Sequence, residues 1–280
     1  VRVDPSTAEI TAASDPLPQI RAGVPLRLRA IDLNIDRPNF TLNPTSCDPM
    51  RVESSILSAQ GKTAAPSSRF QVAGCERLPF KPHLKLKVSG PTKRGTYPKL
   101  RAELKAPPGQ ANIGKVSVAL PHSEFLAQEH IKTICTRVQY SAGGGGGKAC
   151  PKGSVYGWAR AFTPLLDQPL EGPVYLRSSS NPLPDLVASL DGQIHIDLAG
   201  RIDSVNGGIR NSFEAVPDAP VSRFVLTMQG GKKSLLVNSR NLCATTNRAT
   251  VKMDGQNGKV HDFRPLVGNS CGKGKPKRGS

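Results

Sequence analysis

The clearest signal along the chain is alternation of apolar and polar positions. In the run from residue 83 to 89, Leu84, Leu86 and Val88 fall on one side and Lys85 and Lys87 on the other. The run 99–105 repeats the pattern, with Leu100, Ala102 and Leu104 opposed to Arg101 and Lys105. A period of two places alternate side chains on opposite faces of a strand. Two such runs, joined by a polar stretch containing Lys93, Arg94 and Gly95, predict a β-hairpin with a cationic outer face.

Similar runs recur. "VPLRLRAIDLNIDRPNFTL" sets Leu26 and Leu28 on one face and, after a slip near Ala30, Ile31, Leu33 and Ile35, predicting a bulged strand or two short ones. "RVESSILSAQG", "SSRFQVAGC", "IGKVSVALP" and "GPVYLRS" read as strands. "GQIHIDLAGRIDSVNGGIRNSF" places Ile194, Ile196 and Leu198 on one face and turns through Asn206-Gly207-Gly208. "SRFVLTMQGGKKSLLVNS" reads as a hairpin around Gly230-Gly231. The best helical candidate is the segment 123–139, where Phe125, Ile131, Ile134 and Val138 share a side and Ser123 offers an N-cap.

Composition sharpens this. Among 280 residues are 27 Gly and 25 Pro, scattered along the chain, a density of breakers that short strands tolerate better than long helices. The expected class is therefore mainly β, two β-sandwich-like units with one short helix near 123–139. The expected division is an N-terminal β unit with an extended arm (1–78), a larger β-sandwich-like domain (79–270) and a basic tail (271–280).

Cysteine spacing adds covalent bonds. Cys47, Cys75, Cys135, Cys150, Cys243 and Cys271 lie two to each third of the chain, so sequential pairing is the natural expectation among the fifteen possible. Neither CxxC nor a Cys/His zinc spacing occurs, and no metal or other cofactor is expected. Paired cysteines point to an oxidising compartment. The start "VRVDPSTAEI", without initiator Met or apolar leader, is expected of a matured product or a trimmed chain from which any signal peptide is already gone, and no run is long and apolar enough to span a bilayer.

Between Cys135 and Cys150 lie five consecutive glycines followed by Lys148. A phosphate-binding loop needs a Ser or Thr after that lysine to hold magnesium, and Ala149 stands there instead. The expectation is a flexible loop closed by a disulfide.

Thirty-eight Lys and Arg against 21 Asp and Glu give a net charge of +17, which favours acidic partners such as glycans, wall polymers or nucleic acid. With 5% aromatic residues, a stacking platform for single-stranded nucleic acid is not expected. Lys85, Lys87, Lys93, Arg94, Arg101 and Lys105 are the candidate polyanion-binding set, with Lys273, Lys275, Lys277 and Arg278 of the tail adding loose affinity. His122-Ser123-Glu124, the strand pair His195 and Asp197, and His261-Asp262 are expected to be solvated or capping residues. Neighbours in sequence rarely converge as a catalytic set. The carboxylates from Asp185 to Asp218 sit mostly beside Gly or Pro, where turns use them.

The blocks "NPTSC", "FQVAGC", "CTRVQY", "ACPKGSVYGWA", "PLEGPVYLRSS", "LDGQIHIDLAGRI", "FEAVPDAPVSRFVL" and "GGKKSLLVNSRNLC" together resemble an uncharacterised family of large secreted bacterial proteins built from β-rich modules with paired cysteines. The resemblance covers most of residues 20–265. It implies extracellular, modular architecture and supplies no catalytic residues. The glycine run departs from the family's pattern. A secreted or cell-surface structural or adhesive protein without catalysis is thus expected, its partners acidic surface polymers or neighbouring copies of itself. A binding module for acidic polymers is the first alternative, and a hydrolase of envelope polymers the second.

Overall fold

The computed structural model describes residues 1–280 except 33, 35, 37–41, 206–207 and 272–280. Leu33 and Ile35, part of the Asn206-Gly207-Gly208 turn, and the basic tail therefore lie outside the described residues.

The first 78 residues form four small two-stranded sheets. β1 (Arg2–Val3) pairs with β2 (Ile10–Thr11), and β3 (Ile20–Arg21) with β4 (Val24–Pro25). β5 (Met50–Glu53) pairs with β8 (Ser67–Phe70), enclosing the hairpin of β6 (Ile56–Leu57) and β7 (Thr63–Ala64). The alternation at Leu26 and Leu28 does not become a strand; the last cross-hairpin bond runs from the Leu26 amide to the Gln19 carbonyl at 2.7 Å, and Leu28 is exposed.

The rest of the chain builds one large sheet. In chain order its strands are β9 (His83–Ser89), β10 (Lys99–Lys105), β11 (Ile113–Ala119), β13 (Val155–Phe162), β14 (Leu170–Arg177), β15 (Asp185–Asp191), β16 (His195–Val205), β17 (Gly208–Phe213), β18 (Arg223–Met228), β20 (Thr250–Gly255) and β21 (Val267–Gly268). β12 (Glu124–Leu126) and β19 (Leu236–Asn238) form a separate pair near one end. The sheet runs β20-β11-β17-β16-β15-β14-β13-β18-β10-β9-β21.

Its two ends meet. β20 folds back on residues 260–266, where Val251 and Phe263 exchange backbone hydrogen bonds of 2.9 and 3.0 Å, and that returning segment leads into β21. β21 pairs in parallel with β9, Val267 beside Leu86. Hydrogen bonding is thus continuous around a curled, barrel-like wall, which leaves few unpaired strand edges. The two facing layers of a sandwich are here opposite walls of one sheet.

Apolar positions point inward all round. Leu84, Leu86 and Val88 are buried with lysines outside, as the sequence pattern requires. Two buried clusters result, one around Tyr156, Leu176 and Leu190 and one around Phe80, Val251 and Met253, and a third, of Cys135, Tyr140, Tyr175 and Val187, forms under the glycine run.

The helix is shorter and later than its sequence signal. α1 spans Arg137–Ser141 and starts at Thr136, whose hydroxyl accepts from the Gln139 amide while the Gln139 side chain accepts from the Thr136 amide. Residues 124–126 are strand instead, Ser123 and Glu124 are fully buried, and Val138, assigned to the apolar side, is exposed. The hairpin expected around Gly230-Gly231 is also replaced: β18 pairs with β10 and β13, and β19 with β12.

Three disulfides join Cys47–Cys75, Cys135–Cys150 and Cys243–Cys271, with Cα separations of 5.7, 5.2 and 5.6 Å. Among the described residues no helix is long and apolar enough to cross a membrane. The disulfides fit an extracellular protein.

Candidate functional site

The outer face of β9 and β10 carries the predicted cations, and the register extends it. Lys87, Arg101, Thr227 and Trp158 stand side by side across β9, β10, β18 and β13. The next row is Lys85, Glu103, Val225 and Arg160, and the one after it His83, Lys105, Arg223 and Phe162. Strands about 4.8 Å apart put neighbouring side chains of each row within contact reach, and β9 stands three strands from β13.

Glu103, which charge counting along the hairpin overlooks, reorganises this face. It lies 2.9 Å from Arg223, 3.6 Å from Arg101 and 3.8 Å from Lys105. Partial burial opposes its ionisation, but these three cations prevail and hold its carboxyl below the usual range. Arg160 pairs with Glu171. By contrast, Lys85, Lys87, Lys93 and Arg94 have no carboxylate within ion-pair distance among the described residues. The one Trp of the chain, half exposed, stands in the Lys87 row. Sequence reading missed Trp158, Arg160 and Arg223, because only pairing register places them on this face.

A second polar cluster forms under the glycine run, on the outer face of β15 and β16. His195 Nδ1 lies 2.7 Å from Asp191 and Nε2 3.1 Å from Asp197. Tyr140 donates its hydroxyl to Asp197, and Ser189 donates to the Gly146 carbonyl at 2.8 Å. Burial first, and then the Asp197 hydrogen bond, push the Tyr140 hydroxyl well above the usual phenol range.

The loop over this cluster is packed. All five glycines have positive φ, between 65° and 90°. A Cβ on Gly146 would come within 2.7 Å of the His195 ring. The loop is closed by Cys135–Cys150 as expected; its Gly146 and Gly147 fit closely, needing glycine for contact as well as for conformation, whereas Gly143 and Gly144 are exposed. His195 and Asp197, expected to be solvated, are partly buried and hydrogen-bonded to each other. With both ring nitrogens facing carboxylates and the Ser189 hydroxyl committed to Gly146, the cluster works as a seat for the loop.

The other candidates stay apart. Ser123 donates to Glu124 at 2.6 Å, and burial pushes the Glu124 carboxyl above its usual range, while His122 offers only its backbone carbonyl, to Ser239. His261 stacks on Phe263, with centroids 4.9 Å apart.

The third feature is inside. The curled sheet encloses a cavity of about 200 Å³, lined by side chains from β9, β10, β11, β13, β15, β16, β17, β18 and β20. A ring of about eight strands is just filled by its own side chains, and this wall is longer. One end is covered by Leu235 and Leu236 beside the β12–β19 pair.

The other end is crossed by residues 216–221, contributing Val216, Ala219 and Val221 to the lining. Asp218 latches that strap: it accepts hydrogen bonds of 2.8 Å from the Thr45 amide, the Thr45 hydroxyl, the Ser46 amide and the Asn112 side chain. Charge-assisted bonds contribute about 1.5–3 kcal/mol each but are not additive. Asp218→Ala is accordingly expected to lower stability by about 2–4 kcal/mol, read as a lower urea midpoint, with Asp218→Asn losing less.

Compared with known protein families, characterised proteins and solved structures, this chain matches none.

Proposed function

We propose that this is an extracellular protein that works by adhesion, holding acidic envelope polymers against the outer face of β9, β10, β18 and β13. The observation that carries this reading is a set of cations without carboxylate partners among the described residues, Lys85 and Lys87 on β9 and Lys93 and Arg94 in the loop that follows, on the same sheet face as the half-exposed Trp158. Charges fixed on a sheet lose little freedom when a polyanion docks, and an indole face stacks on sugar rings or adds apolar contact. The net charge of +17 brings such polymers to the surface, with attraction screened beyond about 8–10 Å at ordinary ionic strength. Three disulfides and the resemblance to secreted modular proteins support an extracellular setting. Adhesion without catalysis is supported by the fastening of the His195 cluster beneath its loop.

The test is retention on immobilised heparin and on wall teichoic acid. A Lys85→Glu/Lys87→Glu/Lys93→Glu variant is expected to bind roughly tenfold more weakly and with a shallower salt dependence. Trp158→Ala is expected to weaken glycan retention while leaving the salt slope unchanged. Retention of the triple variant equal to that of the parent rejects this face.

Self-association is a second reading. Ile10, Ile20, Val24, Ile56 and Leu57 are exposed on the small N-terminal hairpins, where short edges invite pairing with another copy. Sedimentation at increasing concentration separates the two readings.

A further inference from the structure

We infer that Glu124 and Asn238, directly opposed across β12 and β19, share a proton that fixes the cationic loop between β9 and β10, so that losing it at higher pH loosens the loop's grip on acidic polymers. The consequence for binding rests on the proposed polyanion face; the shared proton does not.

Two buried oxygens of this pair lack donors. Glu124 is fully buried and Asn238 almost so. Glu124 Oε2 accepts from the Ser123 hydroxyl at 2.6 Å, but Glu124 Oε1 and Asn238 Oδ1 have no hydrogen-bond partner among the described residues. Orphaned acceptors of this kind are costly and uncommon. Turning the Asn238 amide round gives no relief, because its Nδ2 donates to the Pro91 carbonyl at 3.0 Å and reaches the Lys93 carbonyl at 3.4 Å, and carbonyls only accept. Opposed residues of an antiparallel pair point to one face with Cβ atoms about 5 Å apart, within reach of a glutamate side chain. Neither oxygen exposes surface to water, which leaves no place for a bridging water or ion. A proton needs no such space. Neutral Glu124 donates through Oε1 to Asn238 Oδ1 while Oε2 keeps the Ser123 bond, and both orphans are satisfied.

The surroundings favour that neutral form. Burial raises the Glu124 carboxyl above the usual range, against the Ser123 bond and the charge of Arg240, which follows β19. Other charges nearby are engaged or at the surface. Arg210 of β17, which packs on β12, is bound to Asp203, Glu129 accepts from Tyr97, and His130 faces the Ser234 carbonyl. His122, Lys93 and Arg94 are exposed. A carboxyl raised by folding contributes fully at pH below the ordinary glutamate range, and that contribution is lost as pH rises through the folded value.

The loop hangs on Asn238. Its Nδ2 also donates to Thr96 Oγ1 at 3.1 Å, its backbone amide donates to the Thr96 carbonyl at 2.9 Å, and its carbonyl accepts from the Gly95 amide at 2.8 Å. Lys93 and Arg94 lie inside this bracket. When Glu124 ionises, a full and a partial negative charge face each other, and Asn238 is pushed from its place.

The experiment is a carbon-13 and nitrogen-15 NMR titration of the full chain, beside heparin retention at fixed salt over the same pH range. The Glu124 carboxyl should titrate above the ordinary glutamate range. The Gly95 amide should shift with the same midpoint, its protection against exchange falling about tenfold as pH rises. In Glu124→Gln, whose amide nitrogen donates to Asn238 at every pH, Gly95 should stop responding. Across that transition heparin retention should fall about threefold more in the parent than in Glu124→Gln, histidine titration being common to both. Titration of Glu124 as an ordinary exposed glutamate overturns the inference, as does a Gly95 midpoint different from that of Glu124, or a Gly95 response that survives in folded Glu124→Gln. Where circular dichroism shows that variant unfolded, the two midpoints in the parent decide. With Gly95 coupled as expected, equal pH dependence of retention in parent and variant overturns the link to binding. Absence of retention by either protein at any pH instead rejects the polyanion face and leaves the shared proton standing.

Discussion

Replacing Gly147 with alanine is expected to destabilise the protein by about 2–4 kcal/mol. Two costs combine. At φ +72° an alanine gives up roughly 1 kcal/mol or more to left-handed backbone strain. Its Cβ would also sit 2.7 Å from Tyr175 and 3.1 Å from Tyr140, and forced overpacking of this kind costs about 1–3 kcal/mol. Gly143→Ala separates the two contributions. Gly143 lies at φ +65° and ψ +26°, and the atom nearest to its Cβ position is Lys148 Cβ at 3.8 Å. That variant should lose about 1 kcal/mol, the backbone part alone. Urea unfolding of both variants is the measurement. Equal losses would mean that the loop does not press on the two tyrosines, and that its packing on the sheet is dispensable.

Removing the Cys243–Cys271 disulfide, as the double serine variant, is expected to cost about 3.5 kcal/mol and to loosen the barrel at its seam. The loop it closes spans 28 residues, for which chain entropy gives about that value. Cys271 follows β21 closely, and β21 meets β9 through only two residue pairs. Without the covalent tie those pairs have little to hold them. Amide exchange should then quicken first in Val267 and its neighbours, while amides of β14 and β15, in the middle of the sheet, keep their protection. Uniform loss of protection would place the disulfide's contribution in global stability alone.

Much of this architecture is legible in the sequence, and the parts that are not have specific physical causes. The β9–β10 hairpin is readable because seven-residue runs alternate without a break, and its register follows from a single buried face. The cysteine pairs are readable because close spacing in sequence limits their partners. The helix was misplaced because apolar residues at 125, 131, 134 and 138 mimic a stripe, although Thr136-x-x-Gln139 carries the capping-box signature. β21 is two residues long, too short for any periodic signal, so closure of the wall was invisible. Of the candidate sites, the hairpin lysines could be named in advance. Glu103, Trp158 and Arg223 join them only through pairing register, and Asn238 meets Glu124 only through the pairing of β12 with β19.

The parallel pairing of β21 with β9 also constrains how the molecule can be assembled. Val267 lies 181 positions after Leu86, so the first wall strand to be synthesised waits for nearly the whole chain before its outer edge is covered. Contacts this distant in sequence form slowly. During that interval the edge is open to any other extended chain, and Lys85 and Lys87 make it a poor template for addition. The same two lysines would thus guard the nascent polypeptide before serving any purpose in the finished protein.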